Sequence, residues 1–177
     1  MALSSVQTTY FDAPGSLYPG QLADSGSALL EKAVRSFRTE TILYMGRGVV
    51  KGTANGQNDP TLTPFGVKTP LSGSVLADFV GIALRTQASS SDANGLATTL
   101  RATTMNPVAE LGSGAIVGAV VPAGITIVHG DPVYMSVSHV SIPVGEFSNA
   151  AATGLIAITG ATWYGAAAAS TVGRIKL

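Results

Sequence analysis

The stretch Ala115-Ile116-Val117-Gly118-Ala119-Val120-Val121-Pro122-Ala123-Gly124-Ile125-Thr126-Ile127-Val128-His129-Gly130-Asp131-Pro132-Val133-Tyr134-Met135-Ser136-Val137 decides the fold class. Its apolar and β-branched runs are cut by Pro122, Gly124 and Asp131-Pro132, and each run has the length of a strand rather than of a helix. Strands are expected at Ala115 to Val121, Ile125 to Val128 and Val133 to Val137. The segment from Ala115 to Val128 is the most membrane-like of the chain. It is broken by Gly118, Pro122 and Gly124 and falls short of the roughly 20 apolar residues a spanning helix needs, so no membrane partner is expected.

The same texture covers everything after Thr41. Further strands are expected near Ile42 to Thr53, Ser74 to Thr86, Ala97 to Ala102, Leu155 to Thr159 and Gly173 to Leu177. Asn55-Gly56 and Asn94-Gly95 suit turn positions with positive φ, and Asn106-Pro107-Val108 reads as a turn. The Gly52 to Gly73 stretch, rich in Gly, Asn and Pro, reads as one long loop, of the kind that is functional or covers something. No repeat of fixed period is present, which disfavours a solenoid. The sequence predicts a mainly β protein: a single domain of β-barrel or meander type over residues 27–177, with an extended N-terminal arm over residues 1–26 and at most one short helix.

The arm carries Pro14, Gly15, Pro19 and Gly20 without a regular period. It also carries Tyr10, Phe11, Leu17 and Tyr18, more aromatic character than a wholly disordered tail usually has. These four are candidate anchors, to be buried on the chain's own domain or on a neighbouring subunit. Between Leu30 and Glu40, Leu30, Ala33, Val34 and Phe37 fall on one helical face, so the short helix is placed here, with an extended segment as the alternative. Glu31, Lys32, Arg35, Arg38 and Glu40 make this window a solvated or inter-subunit face, and Arg35 and Arg38 are its candidate contacts.

Composition narrows the function. The 177 residues hold 10 Lys plus Arg and 10 Asp plus Glu, so the formal net charge is zero and no basic surplus is available for nucleic-acid phosphates. Charged residues make up only 11%, against about 25% in an average soluble domain. A surface so poor in charge is weakly defended against association and is expected to be covered by partners. Cysteine is absent, which removes disulfides and thiolate metal sites. The opening Met1 to Tyr10 lacks the basic and apolar pattern of a signal peptide.

Catalytic chemistry finds little support. His129, His139 and Asp131 share a region with several serines, but no Gly-x-Ser-x-Gly elbow accompanies them, and a β context offers no strand-turn-helix for one. The acids stand singly along the chain, without calcium-loop spacing. Gly46-Arg47-Gly48 resembles the start of a dinucleotide fingerprint, yet Lys51 stands where its third glycine belongs and no helix follows. No catalytic residue, metal ligand or cofactor site is assigned. A glycosidase or glycan-binding module would need aromatic platforms, and the chain has one Trp and 6% aromatics.

Taken in order, Tyr18-Pro19-Gly20-Gln21-Leu22-Ala23-Asp24, Gly46-Arg47-Gly48-Val49-Val50-Lys51-Gly52, Phe79-Val80-Gly81-Ile82-Ala83-Leu84-Arg85, Gly130-Asp131-Pro132-Val133-Tyr134-Met135, Gly145-Glu146-Phe147 and the closing Ala161-Thr162-Trp163-Tyr164-Gly165 through Ala169 resemble the structural cement proteins of tailed phages. The resemblance covers about residues 14–177. The charged Glu31 to Glu40 window and the Pro-rich Asp59 to Pro70 loop depart from it. It implies a non-enzymatic protein on the outer surface of the virion capsid, commonly a homotrimer, that ties adjacent major capsid protein subunits together and stabilises the expanded head. The competing readings are another virion component, such as a minor head or tail protein, and the glycan-binding module or glycosidase above.

Overall fold

The computed structural model describes residues 18–23, 34–53, 66–85, 99–100, 102 and 104–177. Among these residues twelve strands make three antiparallel sheets. The first sheet runs β1 (Val34–Arg38), β7 (Met105–Glu110), β5 (Phe79–Ala83), β3 (Gly48–Lys51), β4 (Val67–Lys68). In the second the order is β10 (Phe147–Ser148), β9 (Pro132–Ser136), β11 (Leu155–Trp163), β12 (Val172–Lys176), β8 (Ile116–Val120). A small third sheet pairs β2 (Leu43–Tyr44) with β6 (Thr99–Leu100).

The core follows from the pleat. Val50, Phe79, Ile82 and Ala109 of the first sheet pack with Val117, Ala119, Met135, Phe147, Ile158, Trp163 and Ile175 of the second. The alternate residues Val49, Val80, Ala83 and Val108 point to the opposite face, where Phe37, Leu43, Met45, Val67 and Leu100 form a second apolar cluster. The first sheet is therefore buried on both sides, and Phe79-Val80-Gly81-Ile82-Ala83 is buried throughout, as a doubly covered strand must be. A register shift opposite Val49 and Val50 leaves Val80 as an extra residue on β5. This bulge puts Phe79 and Ile82, three positions apart, on the same face. Trp163 is fully buried, and its indole N–H donates to the Ser148 carbonyl at 3.3 Å, which removes the cost of burying that donor.

Several expectations need correction. The sheets do not close into a barrel. Among the described residues the edges of the first sheet share one parallel bridge, Thr39 with Val67, and one bridge is not the continuous ladder that closure requires. The helix expected at Leu30 to Glu40 is strand β1 over its described part, in register with β7 from Val34↔Ala109 to Arg38↔Met105. A short amphipathic helix is marginal by itself, whereas five residues of ladder and the burial of Phe37 are available here. The turn expected at Asn106-Pro107-Val108 is the interior of β7. Pro107 is tolerated because its carbonyl accepts from Leu84 N at 3.0 Å, so its missing N–H faces β5 beyond the last pair, Ala83↔Val108.

Ile125 to Val128 contributes a single bridge, Ile127 with Ala167, instead of a strand. The Gly52 to Gly73 loop contains β4. The only helical turn among the described residues is a 3-10 turn at Leu76–Asp78, inside the expected Ser74 to Thr86 strand. Asn55-Gly56 and Asn94-Gly95 lie outside the described residues.

Candidate interaction site

Three of the segments quoted above converge on one place. Residues 18–23 run beside β8: Gly20 N donates to Gly118 O, Gly118 N to Gln21 O and Ala23 N to Ile116 O, each at 2.8 Å. The outer edge of β8 is thereby occupied instead of left open for adventitious pairing. On its other side Gly20 O accepts from Arg85 N at 2.9 Å, and Gly46 N donates to Ala83 O at 2.8 Å.

Gly20 and Gly46 have φ of 76° and 73°, a region costly for any residue with a Cβ. Their backbones also touch. A Cβ on Gly46 would lie 2.7 Å from Gly20 N and 2.9 Å from Gly118 O, so no other residue fits at this crossing.

The crossing delivers side chains around a hollow of about 180 Å³ lined by Pro19, Tyr44, Met45, Arg47, Arg85 and Val120. Its walls are apolar, and two arginine–tyrosine stacks flank it. The Arg47 guanidinium carbon sits 4.4 Å above the Tyr44 ring centroid, and that of Arg85 sits 5.1 Å above Tyr18. Arg47 Nη2 donates to Glu146 Oε1 at 2.7 Å, and its Nη1 donates to Val144 O at 3.3 Å. Burial pushes the Glu146 carboxyl above the usual carboxylate range, and the nearby Arg47 charge opposes that rise. Arg85 differs: its Nε is buried with no hydrogen-bond partner among the described residues. Such a surface holds no nucleophile paired with a base. It suits an apolar or aromatic side chain that arrives with a hydrogen-bond acceptor.

Of the residues singled out in the sequence, Tyr18 is at this site, 48% exposed. Tyr10, Phe11 and Leu17 lie outside the described residues. Arg35 and Arg38 are on β1, an edge of the first sheet. Arg35 pairs with Glu110 at 3.1 Å in an exposed contact, the kind that contributes about 0–1 kcal/mol. Sequence reasoning missed Tyr44, Arg47 and Arg85 as a group. Glycine next to arginine in Gly46-Arg47-Gly48 was the available signal, but only the fold shows that it faces Arg85.

The histidines serve local structure. His129 Nδ1 accepts from Gly165 N at 3.0 Å, and His139 Nδ1 accepts from Ser141 N and Ile142 N, both at 3.1 Å. Asp131 Oδ2 accepts from Val128 N at 2.9 Å and Asn149 Nδ2 at 2.7 Å. These bonds, that of Asn149 foremost, hold its carboxyl below the usual range. Among the described residues no three His, Cys, Asp or Glu side chains gather as metal ligands.

Comparison with known proteins decides the family. The model of the family described as structural cement protein (E217 gp24/Pam3 gp6) matches residues 6–177. The chain belongs to the structural cement protein family. A chain from the solved capsid of Myoviridae phage XM1 has a similar fold, with a TM-score of 0.62 at 15% identity over 98% of this chain and 97% of that one. Among curated proteins nothing matches. The cement protein is thus a structural component of the phage virion, on the capsid and associated with capsid proteins.

Proposed function

We propose that this cement protein clamps neighbouring major capsid protein subunits from the outer surface of the expanded head, without catalysis. The observation that carries the reading is the family match over residues 6–177. Residues 27–177 act as the capsid-binding domain and residues 1–26 as an arm whose root, residues 18–23, is bonded to β8.

The energetics favour an arm that adds backbone pairing to its anchors. Burying Tyr10, Phe11, Leu17 and Tyr18 contributes about 1.5–3 kcal/mol each, while ordering each arm residue costs about 1–2 kcal/mol. Side chains alone do not order such a segment, and strand addition to a neighbour's exposed edge supplies the missing hydrogen bonds. On a fixed lattice, weak contacts of this kind suffice because each one raises the effective concentration for the next.

A homotrimer fits both the resemblance and a surface with 11% charged residues. Zero net charge supports a site away from the genome. The absence of catalysis is supported by the histidines and Asp131, whose described bonds go to backbone amides and Asn149.

The test is to mix the purified protein with expanded, undecorated capsids. Stoichiometric binding with raised resistance to heat or low salt supports the clamp. Binding only to tail tubes or to glycans contradicts it.

A further inference from the structure

We infer that the hollow between Tyr18, Tyr44, Arg47 and Arg85 receives the Tyr10-Phe11-Asp12 segment of a second copy of this chain, with Phe11 on its apolar floor and Asp12 on the Arg85 guanidinium. The inference rests on the clamp reading above and names the partner of the arm.

Size and charge select the occupant. At about 180 Å³, the hollow is below the roughly 300–1,000 Å³ of small-molecule sites and matches a protruding side chain. Arg47 already has Glu146 as its carboxylate. Arg85 stacks on the Tyr18 ring, and its Nε is buried without a hydrogen-bond partner among the described residues. Asp12 is the one charged side chain in residues 1–17, and it directly follows Tyr10-Phe11. An aromatic side chain next to a carboxylate complements an apolar floor next to a guanidinium.

Reach and symmetry select the second copy. Phe11 stands eight residues before Pro19, which lines the chain's own hollow, so a link of that length reaches at most about 26–29 Å. A copy that gives one arm and receives another forms a head-to-tail contact, which closes when the copies make a ring. An arm returning to its own hollow would leave the copies unlinked.

The chain has no cysteine, so Asp12→Cys with Arg85→Cys provides a clean cross-link. The full-length double variant is oxidised in free solution and on capsids, then run on a denaturing gel without reductant. Covalently joined copies, absent from either single variant, are the expected result. An intrachain bridge, with the chain running as a monomer, would overturn the inference, since the arm would be seated in its own hollow. The absence of any bridge would overturn it as well.

A charge exchange keeps the test independent of cysteine geometry. Asp12→Arg and Arg85→Asp each weaken association between copies by roughly tenfold or more, and the two together restore it. If the double variant stays as weak as the singles, the pair does not exist. Failure of these tests while wild-type protein still decorates capsids removes the arm exchange and leaves the clamp. Linked copies whose wild type ignores capsids do the reverse.

Discussion

Arg47 Nη2 lies 2.7 Å from Glu146 Oε1, with the carboxylate buried and the guanidinium stacked 4.4 Å above Tyr44. The pair ties the β2–β3 turn to the loop before β10, and so joins the small third sheet to the second sheet beside the hollow. Because burial raises the Glu146 pKa, the folded state holds its proton more readily than the unfolded chain does. That contribution to stability is complete below the ordinary carboxylate range and is lost as pH rises through the raised value. Glu146→Gln should flatten this slope in denaturant unfolding followed against pH. Glu146→Ala should cost about 1–3 kcal/mol, because Arg47 loses its charged acceptor. A Gln variant with an unchanged pH slope would show that Glu146 is not its source.

Asp131 has the opposite sign. Its depressed pKa gives stability that is present above the ordinary carboxylate range and lost as pH falls through the depressed value. Asp131→Asn should remove that acid-side loss, and unfolding measured on the acid side against wild type decides the point. An acid slope equal to wild type would contradict the assignment.

Gly46→Ala and Gly73→Ala separate crowding from backbone strain. Both positions have positive φ, yet a Cβ meets backbone atoms at 2.7–2.9 Å on Gly46 and nothing within 4 Å on Gly73. Gly73→Ala should cost about 1–2 kcal/mol from conformation alone. Gly46→Ala should lose a further 1–3 kcal/mol or so from overpacking, together with hydrogen-exchange protection of Gly20 and Gly118. Equal losses at both sites would contradict the tight crossing.

Substituting His129 and His139 together should leave capsid binding and particle stability within experimental error. The isolated domain should lose only about 1 kcal/mol from the unpaired amides. A large loss of binding by a folded double variant would reopen a catalytic or pH-switch role.

Deleting residues 2–17 should leave a folded domain, because the bonds from Gly20 and Ala23 to β8 survive, with weakened capsid attachment. Circular dichroism and capsid binding together check this. Unfolding, or attachment equal to wild type, would show that the arm is not the latch.

The β class was legible because turn glycines and prolines interrupt strand-length apolar runs, as around Pro122, Gly124 and Asp131-Pro132. The misread elements are those where tertiary pairing outweighs local pattern. Phe37 has helical neighbours in the sequence but a ladder partner in Asn106. Pro107 reads as a turn until Leu84 is seen to use its carbonyl. The bulge at Val80 reverses the facing of β5, and only its pairing with β3 reveals it. The interaction site was legible only in part: Tyr18 stood out as an aromatic in the arm. Arg47 and Arg85 come from distant segments, and the pairing of β3 with β5, continued by the bonds of Gly46 N to Ala83 O and Ala83 N to Arg47 O, brings them together.

The central claim is that the protein ties capsid subunits together from outside, and a reconstruction of the decorated particle tests it most directly. The account predicts density for this domain on the outer surface, spanning the boundary between adjacent major capsid protein subunits, with its N-terminal arm on a neighbour. Density confined to a single capsid subunit, to the interior or to the tail would contradict it.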